Sequence, residues 1–191
     1  MAIAAVDLAH RGLLRNKGVA VTVMTNLGFH HTMRDNNIDV VITPVGDRSI
    51  LVALDEFDFV LGGEQSGHVI HRAHATTGDG LLAALQLVEY ITRARVTLDQ
   101  AASIMQSYPQ ILVNIRTLNR VHDPVHDIAE QIARAEAELG DNGRILVRSS
   151  GTEPLVRVMV EAADQVTAES IAIRVAQAVV GIHGGSIEGT H

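Results

Sequence analysis

The sequence predicts an α/β protein with two domains: a mixed, mainly parallel α/β/α domain, followed by a small α+β domain with an antiparallel sheet and helices. The first domain is predicted because short, apolar, β-branched runs such as 39–43 alternate with helical patterns, as in sheets covered on both faces. From Ile111 the order changes to strand, helix, strand, strand, helix, which is typical of a sheet with helices on one side. We expect the domains at 1–95 and 110–191, with a linker at 96–109.

The elements of the first domain follow from its caps and apolar runs. They are expected, in order, as a strand at 19–25, a helix capped by Asn26, a strand at 39–43, a helix at 46–56, a strand at 57–61 and a long helix at 80–93 capped by Asp79. Leu81, Leu85 and Val88 share one face of the long helix. Ligands of parallel sheets bind at the carboxyl ends of strands, and the glycine-rich segment 62–68 lies at such an end.

The second domain begins with a strand near Ile111, and Asp123 with Pro124 marks a helix start. An apolar stripe, ended by Gly140, predicts that helix: Ile128, Ile132, Ala135 and Leu139. Strands are expected at 144–148 and 155–161. A second stripe predicts the last helix: Ile171, Val175, Ala178 and Ile182. The tail, 184–191, is expected to be frayed.

Composition argues against several classes of function. The chain has 191 residues, a formal net charge of −7, 3% aromatic residues, no Trp and no Cys. The negative charge and the lack of stacking residues argue against nucleic acid and anionic membranes as partners. Without cysteine there are no disulfides or thiolate ligands, which suits a reducing compartment. The first residues do not resemble a signal peptide, no apolar run reaches the length of a membrane span, and we expect a cytoplasmic protein.

Residues 148–154 combine a basic residue, two hydroxyls, a glycine and a proline between two predicted strands. Arg148 offers a planar fork for a phosphate, and Ser150, Gly151 and Thr152 offer hydroxyl and backbone N–H donors. Arg157, on the following strand, is a candidate second cation. The alternative is a plain hairpin turn, because the same residue types form turns.

Residues 62–68 form the second candidate loop. Glu64 can accept hydrogen bonds from sugar hydroxyls or from an ammonium group, and Ser66 can complete the contact. The alternative is a glycine-rich connection with a solvated glutamate.

The turn before the helix at 46–56 is a third candidate segment. Arg48 is a candidate ligand contact, and Gly46 begins a helix whose N–H groups attract anions. The alternative is a surface ion pair between Asp47 and Arg48. The histidine clusters, 30–31 and 71–74, lack the spacing of a zinc site, so no metal site is expected in this chain.

Both loops, in this order, resemble motifs of the phosphohexomutase superfamily, most closely its phosphoglucosamine mutase branch. The matching segments are Gly-Glu-x-Ser-Gly-His at 63–68, Arg-x-Ser-Gly-Thr-Glu-Pro at 148–154, and the stretches 45–48 and 76–82. Gln65 favours the glucosamine branch. The resemblance covers roughly residues 8–182, and it implies that His68 lies near the reacting hydroxyl as a general acid or base. Ser149 replaces the proline that is common in the family.

The resemblance also implies an isomerase of amino-sugar metabolism that supplies cell-wall precursors. It would interconvert glucosamine 6-phosphate and glucosamine 1-phosphate through a phosphoserine and a bisphosphorylated sugar. The family's serine loop and its Asp-rich Mg²⁺ loop do not occur in this sequence. We therefore expect a C-terminal part that is inactive alone, binds a hexosamine phosphate, and depends on an N-terminal half that carries the serine and Mg²⁺. No cofactor is expected within this chain.

Two alternatives to this function stay open. The chain could be a stand-alone phosphosugar-binding module, because it contains two predicted domains. It could also be the corresponding part of a phosphomannomutase or phosphoglucomutase, against which Gln65 is the only sequence argument.

Overall fold

In a computed structural model, which describes residues 1–190, the chain divides between Ser107 and Tyr108 into two units. The first unit consists, in chain order, of α1 (Ala2–His10), β1 (Gly18–Thr22), α2 (Leu27–Asp35), β2 (Asp39–Thr43), α3 (Asp47–Glu56), β3 (Leu61–Gly63), β4 (Val69–His71), α4 (Gly80–Ala94) and α5 (Leu98–Ala102). Its strand order is β2-β1-β3-β4, with β1 parallel to β2 and β3 and with β4 antiparallel to β3. The mixed, mainly parallel sheet is confirmed.

The sheet of the first unit is covered on both faces because neighbouring residues of β1 point in opposite directions. Val19 and Val21 pack in a core with α1 and α2, while Ala20 packs in a second core with α3. Asn26 caps α2 by accepting a hydrogen bond from the N–H of Gly28 at 3.0 Å, as predicted. This three-layer arrangement places the loops after β2 and β3 at one edge of the sheet.

The residues after α3 depart from the expected strand at 57–61. Asp58 has a left-handed backbone, with φ at +52°, so the chain turns there and β3 begins only at Leu61. Phe59 is nevertheless buried, which accounts for the apolar pattern that suggested a strand. The predicted strand therefore started too early, and β4 was not predicted.

The apolar face expected for α4 points outward. Leu81, Leu85 and Val88 are all exposed, whereas the opposite face, with Leu87 and Tyr90, lines a cavity of about 270 Å³ beside α1. Both faces are apolar, so helical periodicity alone did not decide which one packs. Asp79 does cap this helix, as predicted, by accepting a hydrogen bond from the N–H of Leu82.

Within the expected linker at 96–109, residues 96–107 belong to the first unit. Ala101 of α5 is buried, and the hydroxyl of Thr32 in α2 donates hydrogen bonds to the carbonyls of Gly28 and Ile104. These contacts attach the segment to the sheet domain.

The second unit consists, in chain order, of β5 (Gln110–Arg116), α6 (Pro124–Asp127), α7 (Ala129–Leu139), β6 (Arg144–Ser149), β7 (Leu155–Glu161), α8 (Gln165–His183) and β8 (Ser186–Thr190). Its antiparallel sheet has the order β6-β7-β5-β8. Val113, Val158 and Ile171 lie in one core between the sheet and its helices. The predicted α+β arrangement is confirmed.

Two details of the second unit differ from expectation. The single helix predicted after Asp123 is divided at Ile128, whose ψ of +27° is not helical, although Ile128 itself is buried. The tail expected to be frayed instead forms β8, which pairs with β5. Glu188 in β8 forms an ion pair with Arg116 of β5, so the predicted fraying was wrong for the described residues. None of the helices within residues 1–190 combines the length and the apolar character that a bilayer crossing requires.

Candidate functional site

The first candidate loop connects β3 to β4 as a tight turn. The N–H of Glu64 donates to the carbonyl of His68 at 2.9 Å, and the N–H of Gly67 donates to the carbonyl of Glu64 at 3.1 Å. Gly67 has φ at +97°, a conformation that side chains disfavour, which explains the glycine. The turn directs Glu64, Ser66 and His68 toward one another.

Glu64 is held by the turn that follows β2. Its Oε1 accepts a hydrogen bond from the N–H of Gly46 at 2.9 Å, and its side chain is only 10% exposed. Gly46 precedes α3 with φ at +122°, so a side chain there would be strained. This contact joins two loops that were predicted separately as candidate sites.

The other oxygen of Glu64 faces a polar cluster. The Ser66 hydroxyl donates to Glu64 Oε2 at 3.4 Å and lies 3.3 Å from His68 Nδ1. His68 Nδ1 is also 3.7 Å from Glu64 Oε2 and 3.6 Å from Asp47 Oδ1. We call Asp47, Glu64, Ser66 and His68 the carboxylate cluster.

Asp47 is the member of this cluster that the sequence analysis did not select. It was considered only as a possible partner of Arg48, but its Oδ1 lies 3.6 Å from His68 Nδ1. Its contact with His68 joins two loops that are far apart in the sequence, so no local pattern indicated it.

Arg48 lies outside the carboxylate cluster. It is exposed and lines a cavity on the β2 side of α3 with Ile42, Val52 and Phe57. It forms no ion pair with any residue that the structure describes. Its predicted role in sugar binding stays a prediction.

Asp47, Glu64 and His68 are the described group that could hold a metal ion, since one ligand atom from each lies within 4.8 Å of the others. Mg²⁺, which the family implies, prefers six oxygen ligands and keeps several waters. Two members of this group are carboxylates, which suit Mg²⁺, and the third is an imidazole nitrogen, which suits it poorly. The group therefore offers Mg²⁺ only part of its preferred oxygen ligands.

The second candidate loop connects β6 to β7. The N–H of Ser150 donates to the carbonyl of Leu155 at 2.7 Å, which closes the hairpin. The buried hydroxyl of Ser150 accepts hydrogen bonds from the N–H groups of Thr152 and Glu153, at 3.5 and 3.3 Å. Gly151 and Thr152 are exposed at the tip. Ser150 thus organises the loop from within, and the tip faces outward.

The ends of this loop are attached to the preceding segment. Arg120 donates a hydrogen bond to the carbonyl of Gly151, and the Ser149 hydroxyl donates to the carbonyl of Val121 at 2.7 Å. The N–H of Thr117 donates to the carbonyl of Pro154 at 3.0 Å. The Ser149 contact gives the loop an anchor at the position where the resemblance led us to expect proline.

Arg148 and Arg157 lie directly opposite each other in the β6–β7 pairing, and Asn114 of β5 is the other neighbour of Arg157. The three residues therefore share one face of the sheet. Neither arginine forms an ion pair with any residue that the structure describes. Burial, and then the charge of Arg157, lower the pKa of the Arg148 guanidinium. Like charges opposite each other are unfavourable in a sheet, so a bound anion would reduce the repulsion between the two guanidinium groups.

The structure brings the predicted residues together as two groups, one in each unit. Gly46, Glu64, Ser66 and His68 are connected in the first unit, whereas Arg48 is not. In the second unit the predicted residues share a hairpin: Arg148, Ser150, Gly151, Thr152 and Arg157. Asn114 and Asp47 are additions that only the pairing and the side-chain contacts reveal.

Comparison with known proteins places both units in one family. Residues 1–108 match the family model of the phosphoglucomutase/phosphomannomutase α/β/α domain III, and residues 112–178 match that of its C-terminal domain. The chain is 52% identical to a phosphoglucosamine mutase of Clavibacter michiganensis over 172 residues, which are 88% of this chain and 39% of that protein. It is also 52% identical to a phosphoglucosamine mutase of Frankia alni over 180 residues, 94% of this chain and 40% of that protein. The chain thus spans about two fifths of these relatives.

Solved structures support the same fold. The N-acetylphosphoglucosamine mutase of Aspergillus fumigatus, in complex with GlcNAc-6P and magnesium, superposes with a TM-score of 0.75 at 21% identity. The match covers 95% of this chain and 43% of the fungal one. A phosphoglucomutase/phosphomannomutase family protein of Burkholderia thailandensis gives a TM-score of 0.69 at 18% identity, and the match covers 98% of this chain and 43% of the bacterial one.

Proposed function

Because the chain belongs to the phosphoglucomutase/phosphomannomutase family, we propose that it is the substrate-gripping C-terminal part of a phosphoglucosamine mutase. The whole enzyme would interconvert glucosamine 6-phosphate and glucosamine 1-phosphate through a phosphoserine and a bisphosphorylated sugar. The observation that carries the proposal is the Arg148–Arg157 pair beside an exposed hairpin tip, without a described carboxylate partner. Two guanidinium groups on one sheet face form a phosphate site.

In this proposal the second unit holds the phosphate that does not react. Arg148 and Arg157 supply charge, and the tip residues Gly151 and Thr152 supply backbone and hydroxyl donors. The whole enzyme must bind one sugar in two orientations, because each of the two phosphates of the bisphosphorylated sugar occupies the reacting position in one of them. A loop that binds the phosphate that is not reacting meets that need. Phosphoryl transfer then depends mainly on positioning.

The first unit would hold the sugar ring. Glu64 has a fixed orientation because Gly46 donates to it, and its second oxygen is directed at the exposed end of the cluster, beside Ser66 and His68. A carboxylate and a hydroxyl can accept and donate hydrogen bonds to neighbouring ring substituents. His68, which is exposed next to them, would exchange a proton with the reacting hydroxyl.

The phosphorylated serine and the Mg²⁺ site are placed outside this chain in our proposal. The carboxylate cluster offers Mg²⁺ two carboxylates and an imidazole in place of a full set of oxygen ligands, and the chain spans about 40% of its relatives. The isolated chain would therefore bind substrate without converting it. The cytoplasm remains its predicted location.

Isothermal titration calorimetry of this chain tests whether it binds the phosphate of the substrate. Glucosamine 6-phosphate should bind more tightly than inorganic phosphate, and Arg148→Met should weaken its binding by about tenfold or more, because a charge-assisted contact is lost. Arg134→Met is the matched control, since Arg134 only pairs with Glu130 on an exposed helix face. Equal binding by the wild-type chain and Arg148→Met, or no binding of any sugar phosphate by the folded chain, would contradict the proposal.

A turnover assay separately tests whether the isolated chain binds substrate without converting it. Phosphorus NMR should show no conversion of glucosamine 6-phosphate by the isolated chain. Conversion would mean that nucleophile and metal are not needed from elsewhere.

A second candidate function is a stand-alone phosphosugar-binding module. It is favoured by one observation: each unit has its own hydrophobic core. The genomic context decides between them, because an upstream reading frame continuous with this one and encoding the serine and Mg²⁺ loops would support the enzyme. Competition among glucosamine, glucose and mannose 6-phosphates would decide the sugar.

A further inference from the structure

We infer that Arg116 is a third phosphate-binding cation beside the hairpin of the second unit, and that Glu188 of β8 competes with the phosphate for it. This inference rests on the proposed function, because it adds a residue to the phosphate site proposed there. Arg116 was not among the predicted site residues, and its assignment comes from the pairing of β5 with its two neighbouring strands.

Arg116 lies at the loop end of the β6–β7 hairpin. It is the last residue of β5 and is paired with Leu155, the first residue of β7. The next residue, Thr117, donates its N–H to the carbonyl of Pro154 at 3.0 Å. The backbone at Arg116 is therefore attached directly to the end of the loop that offers the phosphate donors.

Arg116 also shares the face of the sheet that carries the arginine pair. Arg157 is paired with Asn114, which lies two residues before Arg116 on the same strand, and residues two apart on a strand point to the same side. Ile115, between them, lies in the core on the other face. Diagonal neighbours on paired strands are about 7–8 Å apart, within reach of long side chains, so one phosphate can contact both Arg116 and Arg157.

Glu188 reaches this face through an irregularity in β8. Ile187 and Gly189 are paired with consecutive residues of β5, so Glu188 is an extra residue between them. Such a bulge redirects a side chain from the regular alternation of a strand. The carboxylate of Glu188 accepts hydrogen bonds from Nε and Nη2 of Arg116, the latter at 3.2 Å. The bulge thus supplies an anion to Arg116 from within the chain.

A bound phosphate would replace this carboxylate at little cost. The side chains of Arg116 and Glu188 are 49% and 39% exposed, and an exposed ion pair contributes little to stability. A phosphate monoester carries up to two negative charges and three acceptor oxygens, so it can bridge Arg116 and Arg157, whereas the carboxylate compensates Arg116 alone. Glu188 above all, and Glu153 of the hairpin loop to a smaller extent, raise the pKa of the Arg116 guanidinium. Arg116 therefore already responds to charge within the loop.

NMR titration of the chain with inorganic phosphate tests the competition through the amide signals of Gly151 and Thr152. Salt at about 0.1 M screens charges that are more than about 10 Å apart. Glu188→Gln keeps the shape of the side chain and leaves Arg116 without its charged partner. It should tighten phosphate binding about three- to fivefold, which corresponds to release from one exposed ion pair. The double variant Glu188→Gln/Arg116→Met should lose this gain, because the released cation is absent.

An exposed ion pair elsewhere in the same unit gives the matched controls. Arg174 of α8 pairs with Glu138 of α7, and both side chains are 52% exposed. Glu138→Gln and Glu138→Gln/Arg174→Met change the net charge in the same way as the two test variants. Each should change the phosphate affinity less than about 1.5-fold, because these helices lie on the other side of the sheet.

Three results would overturn the inference. Glu188→Gln could bind phosphate as the wild-type chain does, which would mean that the ion pair only attaches β8 to β5. The gain could persist in the double variant, which would mean that Arg116 does not contact the phosphate. Glu138→Gln could show a gain of equal size, which would mean that net charge alone causes it. The amide spectrum of each variant shows whether it is folded.

A parallel titration with glucosamine 6-phosphate separates the inference from the proposed function. If the sugar phosphate binds no more tightly than inorganic phosphate while Glu188→Gln shows the expected gain, the proposed function is overturned and the role of Arg116 stands. If neither ligand shifts the signals of Gly151 and Thr152 in the folded chain, both are overturned.

Discussion

The ion pair between Arg144 and the buried Glu161 fixes the end of the β6–β7 hairpin that lies away from its loop. Glu161 is 0% exposed and accepts hydrogen bonds from Arg144 Nε and from Gln110 Nε2, both at 2.6 Å. Arg144 and Glu161 are direct neighbours in the pairing, and the same register places Arg148 opposite Arg157. We therefore expect Arg144→Met to destabilise the second unit strongly.

The magnitude follows from what the substitution leaves behind. Glu161 would keep the neutral amide of Gln110 but lose the guanidinium of Arg144 while it remains buried. Removal of one partner from a buried pair costs about 3–5 kcal/mol. The side chain of Arg144 is 22% exposed, so water partly replaces the guanidinium, and we take the lower end, about 3 kcal/mol of unfolding free energy.

Urea unfolding, followed by NMR signals of the second unit, measures this loss without interference from the first unit. The matched control is Arg134→Met, which removes an exposed ion pair with Glu130 and should cost less than about 0.5 kcal/mol. The double variant Arg144→Met/Glu161→Gln also removes the carboxylate charge that the single variant leaves without Arg144. It should recover at least half of the lost unfolding free energy. A loss below about 1 kcal/mol for Arg144→Met, or a double variant no more stable than the single one, would refute the reasoning.

Two further predictions concern pH and the anchoring of the phosphate loop. Burial first, then His74 and the N-terminus, lower the pKa of His71 in the folded state, so the folded chain binds fewer protons there. The stability that His71 contributes is therefore present above its unfolded pKa of about 6.5 and is lost as pH falls below it, by up to about 1.4 kcal/mol per pH unit. Urea unfolding across that range should show a shallower decline for His71→Gln than for the wild-type chain or the exposed control His10→Gln. Arg120→Met should weaken phosphate binding in calorimetry about threefold, because the carbonyl of Gly151 loses its donor, and an affinity equal to wild type would show that this anchor does not position the loop.

Local signals in the sequence predicted much of the fold. The strand at 39–43 and the caps Asn26, Asp79 and Asp123 all occur as predicted, because a cap depends on one side chain and the next turn of backbone. Elements that depend on partners far along the chain were harder to predict. The strand β8 exists through pairing with β5, and nothing in its own five residues indicates that partner.

The same distinction applies to the candidate sites. The hairpin residues Arg148 to Thr152 were predictable because they are consecutive, and their donor types indicate an anion site. Asp47 was not predictable, since its contact with His68 spans 21 positions and two loops. The opposition of Arg148 and Arg157 depends on the strand register, which a sequence pattern specifies only through the buried face.

The two groups of residues carry opposite charge, and each is electrostatically unfavourable without a ligand. In the first unit Asp47 and Glu64 share one histidine, and in the second unit Arg148 faces Arg157. The repulsion within either group does not favour folding, since like charges in close contact reduce stability. The arginine pair gives a direct test: Arg157→Met should leave the unfolding free energy of the second unit unchanged or raise it, while it weakens phosphate binding in calorimetry. A clear loss of stability in this variant would mean that the two arginines serve the fold and not a ligand.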